Sequence, residues 1–265
     1  MRFEGRSAVV SGGAGGLGGA TARRLARLGM GVVVFEPDGE RAQAFAQELG
    51  PNAIGVAGDH NDDAAVHQAI AQAQRLGMFC VNVNAAGVVI NTPATASSDG
   101  TPHGMQSFRE MVEMHLFGPF NMSRLCAAAF AGNEPDDDGQ RGVIVNTAST
   151  AAFDGQARQA AYAASKSAIV GLTTAMARDL AEIGVRACAI APGPIWTPRL
   201  AGAPEALKAA LIGNVAFPKR FGKAEEYASL VEAILRTPFL NGQTIRLDGA
   251  MSTPLTNMAS APTPK

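Results

Sequence analysis

Short apolar runs recur along the chain, each closed by glycine, proline or a polar residue. Segments 6–11, 31–35, 53–57, 79–84, 142–147, 186–191 and 243–247 are dominated by Val, Ile, Ala and Phe and read as buried strands. Segments 20–28, 39–49, 62–75, 105–131, 160–183 and 224–236 carry helical composition, with apolar residues on one face. The long segment 105–131 is expected to break locally around Gly118-Pro119. Strand and helix alternate from the start, which predicts an α/β fold with a parallel sheet and helices on both faces. The stretch 91–104, rich in Thr, Ser, Pro and Gly, reads as a surface loop, and 133–141 as a polar turn. After Pro192-Gly193-Pro194, residues 195–222 show little pattern beyond a short helix at 204–212. Such a long connection after a strand is expected to form a substrate lid. No repeat or linker divides the chain, so a single domain is expected over 1–250, followed by a mobile tail over 251–265.

Composition narrows the function classes. Over 265 residues, 47% hydrophobic and 17% charged, there is ample apolar material for a core, and general disorder is excluded. A net charge of −1 without a basic block argues against nucleic-acid or membrane-surface partners. No apolar stretch reaches bilayer-spanning length, and the first strand leaves no room for a signal peptide, so a cytoplasmic location is expected. Cys80, Cys126 and Cys188 lie far apart in apolar settings and read as buried thiols of a reducing compartment. His60, His67, His103 and His115 lack metal-ligand spacing, so no metal site is expected.

Candidate chemistry gathers after the fifth strand. Tyr162 and Lys166 stand at i and i+4 in a segment of high helix propensity, so the phenol and the ammonium can share one face. A nearby cation favours phenolate and draws a phenol towards useful acid–base range. Ser149, just past the strand GVIVNTAS, can hydrogen-bond a substrate oxygen. Taken alone, the pair is weak evidence and reads first as an amphipathic helix with a snorkelling lysine. Near the N-terminus, a strand, the run Gly12-Gly13-Ala14-Gly15-Gly16-Leu17-Gly18 and a helix form the context of a phosphate cradle. Two registers fit: Gly13, Gly15 and Gly18, or Gly12, Gly16 and Gly18. Glu36 ends the next strand, about twenty residues on, where an acid suits the hydroxyls of an adenosine ribose. It would repel a 2′-phosphate, and no arginine adjoins it in the sequence, so NAD is favoured over NADP. Asp59 reads either as an adenine contact or as a turn residue, and Asn84-Ala85-Ala86-Gly87 as a small-residue ledge for the cofactor.

With these pieces in order, the chain resembles the short-chain dehydrogenase/reductase family over nearly its whole length. The resemblance rests on SGGAGGLG, Asp59, NAAG, the set Ser149, Tyr162 and Lys166, and Pro192-Gly193. Longer strings, NEPDDDGQRGVIVNTAS, AAFDGQARQAAY, ARDLAEIGVR and FLNGQTIRLDGA, are similar to the branch that oxidises 3-hydroxyacyl-CoA thioesters and also hydroxysteroids. The resemblance implies a seven-stranded, doubly wound Rossmann-type sheet, NAD as cofactor and a homotetramer. It implies a mitochondrial-matrix location as the alternative to cytoplasm in a eukaryote. Tyr162 would be the general acid–base, Lys166 would bind the nicotinamide ribose and lower the tyrosine pKa, and Ser149 would orient the substrate oxygen. Cofactor contacts would come from Ser11, Gly12, Gly16, Leu17, Gly18, Glu36, Asp59, Asn84, Ala85, Gly87, Tyr162, Lys166, Pro192, Gly193, Ile195 and Thr197. Ser11 stands where threonine is common in the family, and His115, in EMHLFG, where an asparagine of the proton relay is usual. His115 leaves four outcomes open: it replaces the asparagine, adds a pH dependence, impairs the relay, or packs against the site without a role.

The leading expectation is therefore an NAD-dependent enzyme interconverting 3-hydroxyacyl-CoA and 3-oxoacyl-CoA. The alternatives are a reductase of 3-oxoacyl carrier-protein thioesters or other carbonyls, and a catalytically impaired cofactor-binding protein with an interaction role. Arg199, Lys208, Lys219 and Arg220 of the lid are candidate partners for CoA phosphates.

Overall fold

The computed structural model describes residues 1–88 and 94–252, except the side chain of Arg199. Seven strands, β1 (Arg6–Ser11), β2 (Gly31–Glu36), β3 (Ala53–Ala57), β4 (Met78–Asn84), β5 (Gly142–Thr147), β6 (Val185–Pro192) and β7 (Thr244–Leu247), form one parallel sheet in the order β3-β2-β1-β4-β5-β6-β7. The helices are α1 (Gly16–Arg27), α2 (Gly39–Leu49), α3 (Asp63–Leu76), α4 (Met105–Val112), α5 (Gly118–Phe130), α6 (Ala160–Asp179), α7 (Pro198–Ala201), α8 (Glu205–Gly213) and α9 (Ala224–Arg236).

Strand residues alternate between two apolar layers, which is why each strand reads as a continuous apolar run. Ala8 and Val10 of β1, with Val32 and Val34 of β2, pack on Ala22, Leu25, Val231 and Ile234 of α1 and α9. Val9, Val33 and Phe35 face the other layer, with Val66 and Ile70 of α3 and Met122 and Phe130 of α5. Because all strands run the same way, their carboxyl ends open on one edge of the sheet. The strand order reverses between β1 and β4, the position where open α/β sheets form a ligand crevice.

Three local features depart from the expected pattern. Helix α1 begins at Gly16, before the expected 20, because close contacts override the poor helix propensity of Gly16, Gly18 and Gly19. A β-carbon on Gly18 would lie 2.1 Å from the carbonyl oxygen of Gly12. The long helix is interrupted not at Gly118-Pro119 but by a π-helical turn at Glu113–Phe117, from which α5 continues directly. Pro119 sits in the first turn of α5, where the wider turn before it accommodates the missing N–H. Segment 160–183 ends as a helix at Asp179 and closes with a 3₁₀ turn at Ala181–Ile183.

The lid is anchored at both ends by a parallel bridge between Ile195 and Gly222, and it holds α7 and α8. The expected loop over 91–104 and tail over 251–265 lie partly outside the described residues. Cys80, Cys126 and Cys188 are buried free thiols. Among the described residues no helix is long and apolar enough to cross a membrane.

Candidate active site

The glycine loop turns directly off the end of β1. Gly12 has φ +67°, and a β-carbon there would lie 2.7 Å from the backbone of Ala86, so the loop and the NAAG ledge touch. A β-carbon on Gly16 would meet the Thr197 methyl at 2.6 Å, which brings the lid onto the loop. Gly13 is as tightly enclosed, with a β-carbon 2.6 Å from the Val10 carbonyl oxygen, so the two registers differ only at Gly15, whose nearest neighbour is 3.4 Å away, against 2.6 Å at Gly16. The first turn of α1 has no side-chain cap and no acidic residue. Its free N–H groups, at the positive end of the helix dipole, therefore suit an anionic pyrophosphate.

Glu36 is 7% exposed, and its Oε1 accepts a hydrogen bond from the Ala14 N–H at 2.9 Å. The expectation that no arginine stands beside it is overturned. Arg41, in the first turn of α2, reaches back so that Nη2 donates to the Ala14 carbonyl at 3.0 Å. Adjacency in sequence does not measure the reach of an arginine across a helix–loop junction.

Asp59 is exposed, and its Oδ1 accepts from the backbone N–H and the side-chain amide of Asn61, at 2.9 and 3.1 Å. That geometry serves the turn. Ser11 and Asn84 are buried beneath the ledge rather than on it, 1% and 2% exposed. Asn84 Nδ2 donates to Asn146 Oδ1 at 2.8 Å, while Asn146 Nδ2 has no partner. Pro192 ends β6, and Gly193 packs on Asp248, where a β-carbon would lie 2.7 Å from its side chain.

Ser149, Tyr162 and Lys166 converge past β5. Ser149 caps a 3₁₀ turn at Thr150–Ala152, and its Oγ accepts from the Ala151 N–H at 3.1 Å, which leaves the hydroxyl proton to donate elsewhere. The Ser149 hydroxyl favours the ionised form of the Tyr162 phenol. Lys166 Nζ donates to the Thr147 carbonyl at 2.7 Å and lies 5.8 Å from the centre of the tyrosine ring. Burial pushes the Tyr162 phenol above its ordinary pKa, and the Ser149 hydroxyl opposes that only in part. The expected lowering by Lys166 is absent from this state, because burial also draws the lysine down to about 7.

His115 sits on the π turn and is 1% exposed. Its ring stands edge-on to Tyr162, with centroids 5.0 Å apart at 87°. Nε2 lies 2.9 Å from the Val88 carbonyl. A carbonyl only accepts, so Nε2 carries the proton and the buried Nδ1 is left without a partner. Burial first, then the charge of Lys166, holds the imidazole down at about 3, so it is neutral at any working pH and brings no titration near neutrality.

The supporting roles of four residues, Thr147, Tyr227, Asn146 and His60, escaped the sequence reading. Thr147 Oγ1 donates to the Asn84 carbonyl at 2.6 Å, so the phenol of the fully buried Tyr227 donates to Thr147 Oγ1 at 2.7 Å. Tyr227 on α9 thereby holds the residue whose carbonyl holds Lys166. Asn146 continues the Asn84 network. His60 packs on the first residue of α5: a β-carbon on Gly118 would lie 2.2 Å from its ring. No periodic pattern marks any of them.

The lid cations are mostly engaged. Lys208 pairs with Glu205 at 2.8 Å, and Arg220 pairs with Glu226 at 2.7 Å. Lys219 donates to the Gly213 carbonyl at 3.1 Å.

A glycine loop at a helix N-terminus, a buried acid at the end of the next strand, and Ser149, Tyr162 and a buried lysine beyond β5 are the pattern of a nicotinamide-dependent oxidoreductase. The family model for short chain dehydrogenase matches residues 6–208, and the chain belongs to the short-chain dehydrogenase family. It is 45% identical over 249 residues to the human 3-hydroxyacyl-CoA dehydrogenase type-2, covering 94% of this chain and 95% of the relative. The Drosophila melanogaster protein of the same name is 44% identical, covering 92% of this chain and 96% of the relative. The crystal structure of 3-hydroxyacyl-CoA dehydrogenase type-2 from Mycobacterium avium superposes with a TM-score of 0.94 at 41% identity, covering 96% of this chain and 98% of that one.

Proposed function

We propose that the chain is an NAD-dependent dehydrogenase interconverting 3-hydroxyacyl-CoA and 3-oxoacyl-CoA, with hydroxysteroids as secondary substrates. The observation that carries this reading is the placement of Tyr162 with the buried Lys166 ammonium 5.8 Å from the centre of its ring, and of Ser149, whose hydroxyl favours the ionised phenol. Ser149 donates its free proton to the substrate oxygen and fixes its position. Tyr162 takes the alcohol proton in oxidation and returns one to the carbonyl oxygen in reduction. NAD, when bound, supplies the hydride acceptor.

The N–H groups at the start of α1, around Gly16, Leu17 and Gly18, hold the pyrophosphate, and Glu36 holds the adenosine ribose hydroxyls. Lys166 binds the nicotinamide ribose; cofactor hydroxyls and phosphates then supply the polar surroundings that its buried ammonium lacks. Ala85 and Gly87 form the ledge beneath the cofactor, and Ile195 and Thr197 close it from the lid side. His115 acts as a positioning residue: its neutral ring holds the Val88 carbonyl and walls the tyrosine.

Two further observations support the substrate class. The names of the relatives above are those of acyl-CoA enzymes. An apolar cavity of about 270 Å³, lined by Thr95, Pro102, His103, Met105, Phe108 and Ala160, shares Phe108 with the cluster around Tyr162 and suits an aliphatic chain. Glu36 speaks against an NADPH-dependent carrier-protein reductase, and the assembled site against a purely interacting protein. A homotetramer is part of the reading, as is a reducing compartment, cytoplasm or mitochondrial matrix, to which the free buried thiols lend support.

The test is nicotinamide absorbance with acetoacetyl-CoA and NADH. Turnover should fall at least about 100-fold in Tyr162→Phe. A wild type that binds NADH and leaves acetoacetyl-CoA untouched would reject the substrate class.

A further inference from the structure

Arg41 and Glu36 grip the same residue of the glycine loop from opposite chemical sides. Glu36 Oε1 takes the Ala14 N–H at 2.9 Å, and Arg41 Nη2 gives to the Ala14 carbonyl at 3.0 Å. Seen from Gly15, a β-carbon would lie 3.4 Å from Arg41 Nη2 and 4.0 Å from Glu36 Oε1, so both groups border that α-carbon. The guanidinium is exposed and, among the described residues, forms no ion pair within 4.0 Å. Its remaining N–H groups form the planar fork that suits phosphate. We infer that Arg41 is a latent 2′-phosphate-binding residue of this chain, masked by the carboxylate of Glu36.

The inference rests on the reading of Glu36 as the ribose-binding acid. A ribose held there would bring a 2′-phosphate between a carboxylate that repels it and a guanidinium that attracts it. Glu36 is buried and Arg41 exposed, so the carboxylate is the less screened of the two and repulsion wins. The guanidinium is already ordered by its bond to Ala14, so engaging a phosphate costs it little further side-chain freedom. In Glu36→Gln the amide oxygen can still accept the Ala14 N–H, while the charge is gone.

Isothermal titration with two probes, AMP and adenosine 2′,5′-bisphosphate, tests this without catalysis. Wild type should prefer AMP. Glu36→Gln should bind the bisphosphate at least about 10-fold more tightly than wild type does, about 1.4 kcal/mol. In the double variant Glu36→Gln with Arg41→Gln, which keeps a neutral donor for the Ala14 carbonyl, that gain should vanish while AMP still binds. The gain should also shrink with added salt. No gain in Glu36→Gln, or a gain that survives removal of the arginine charge, overturns the role of Arg41 while leaving the adenosine site intact. If neither probe binds wild type, the ribose-site reading itself fails, and the inference fails with it.

Discussion

Lys166 meets two opposing demands in one side chain. It must be cationic to serve a ribose and a phenol, yet it is 3% exposed and has one hydrogen bond, to the Thr147 carbonyl. Burial draws its pKa from 10.5 to about 7. Between those two values the unfolded chain binds a proton that the native state does not, so native stability rises with pH across the window. The slope is at most about 1.4 kcal/mol per pH unit. The benefit is complete above 10.5 and lost as pH falls through about 7, below which the buried charge is a constant burden. Lys166→Met removes the group from both states. Without cofactor, its gain in unfolding free energy over wild type should therefore be largest at pH 6 and should shrink by several kcal/mol towards pH 10. Urea denaturation of both proteins across that range checks it, and a difference that does not vary with pH would contradict the buried-charge account.

At the scale of elements, the helix that carries His115 shows what a periodic pattern conveys and what it omits. Its extent over 105–131 was legible because apolar residues recur on one face. The π turn at Glu113–Phe117 was not, since one widened turn shifts the register without changing composition. The strands were read to within a residue or two because glycine, proline and polar residues close them. The four-residue α7 was missed because one turn carries no period. A substitution at Gly118 tests the packing that periodicity could not reveal. In an open helix, Gly→Ala stabilises by about 1 kcal/mol. Here the new methyl would lie 2.2 Å from the ring of His60, whose main-chain carbonyl is itself tied to Asn121 at 3.0 Å. The ring must swing out of its half-buried seat, so Gly118→Ala should lower stability by about 1–3 kcal/mol. A melting temperature raised by this substitution would mean that the His60 contact is soft.

At the scale of the whole molecule, the parallel α/β class followed from alternation alone, but the doubly wound Rossmann-type arrangement and most site roles came through family resemblance. What remained hidden were side chains that reach between elements distant in sequence. Arg41 meets Ala14 across 27 residues and Tyr227 meets Thr147 across 80, and no local pattern encodes either. The outer surface poses a similar question, because large apolar side chains remain exposed on a chain with ample core. Phe117 and Phe120 are 55% and 44% exposed and lie three positions apart at the join of the π turn and α5, so they share a face; Met105, 60% exposed, begins the same long helix. Two exposed phenylalanines on one face suit a surface that binds another protein, and the proposed homotetramer supplies a second copy to cover it. Burying each phenylalanine is worth about 1.5–3 kcal/mol, so placing a carboxylate at both positions should defeat that interface while the core, which neither residue enters, stays folded. In sedimentation velocity, wild type should run as a four-copy assembly, and Phe117→Asp with Phe120→Asp should run as a smaller species with an unchanged far-ultraviolet spectrum. A wild type of single-chain mass would refute the tetramer, and a double variant that keeps the four-copy mass would move the interface to another face.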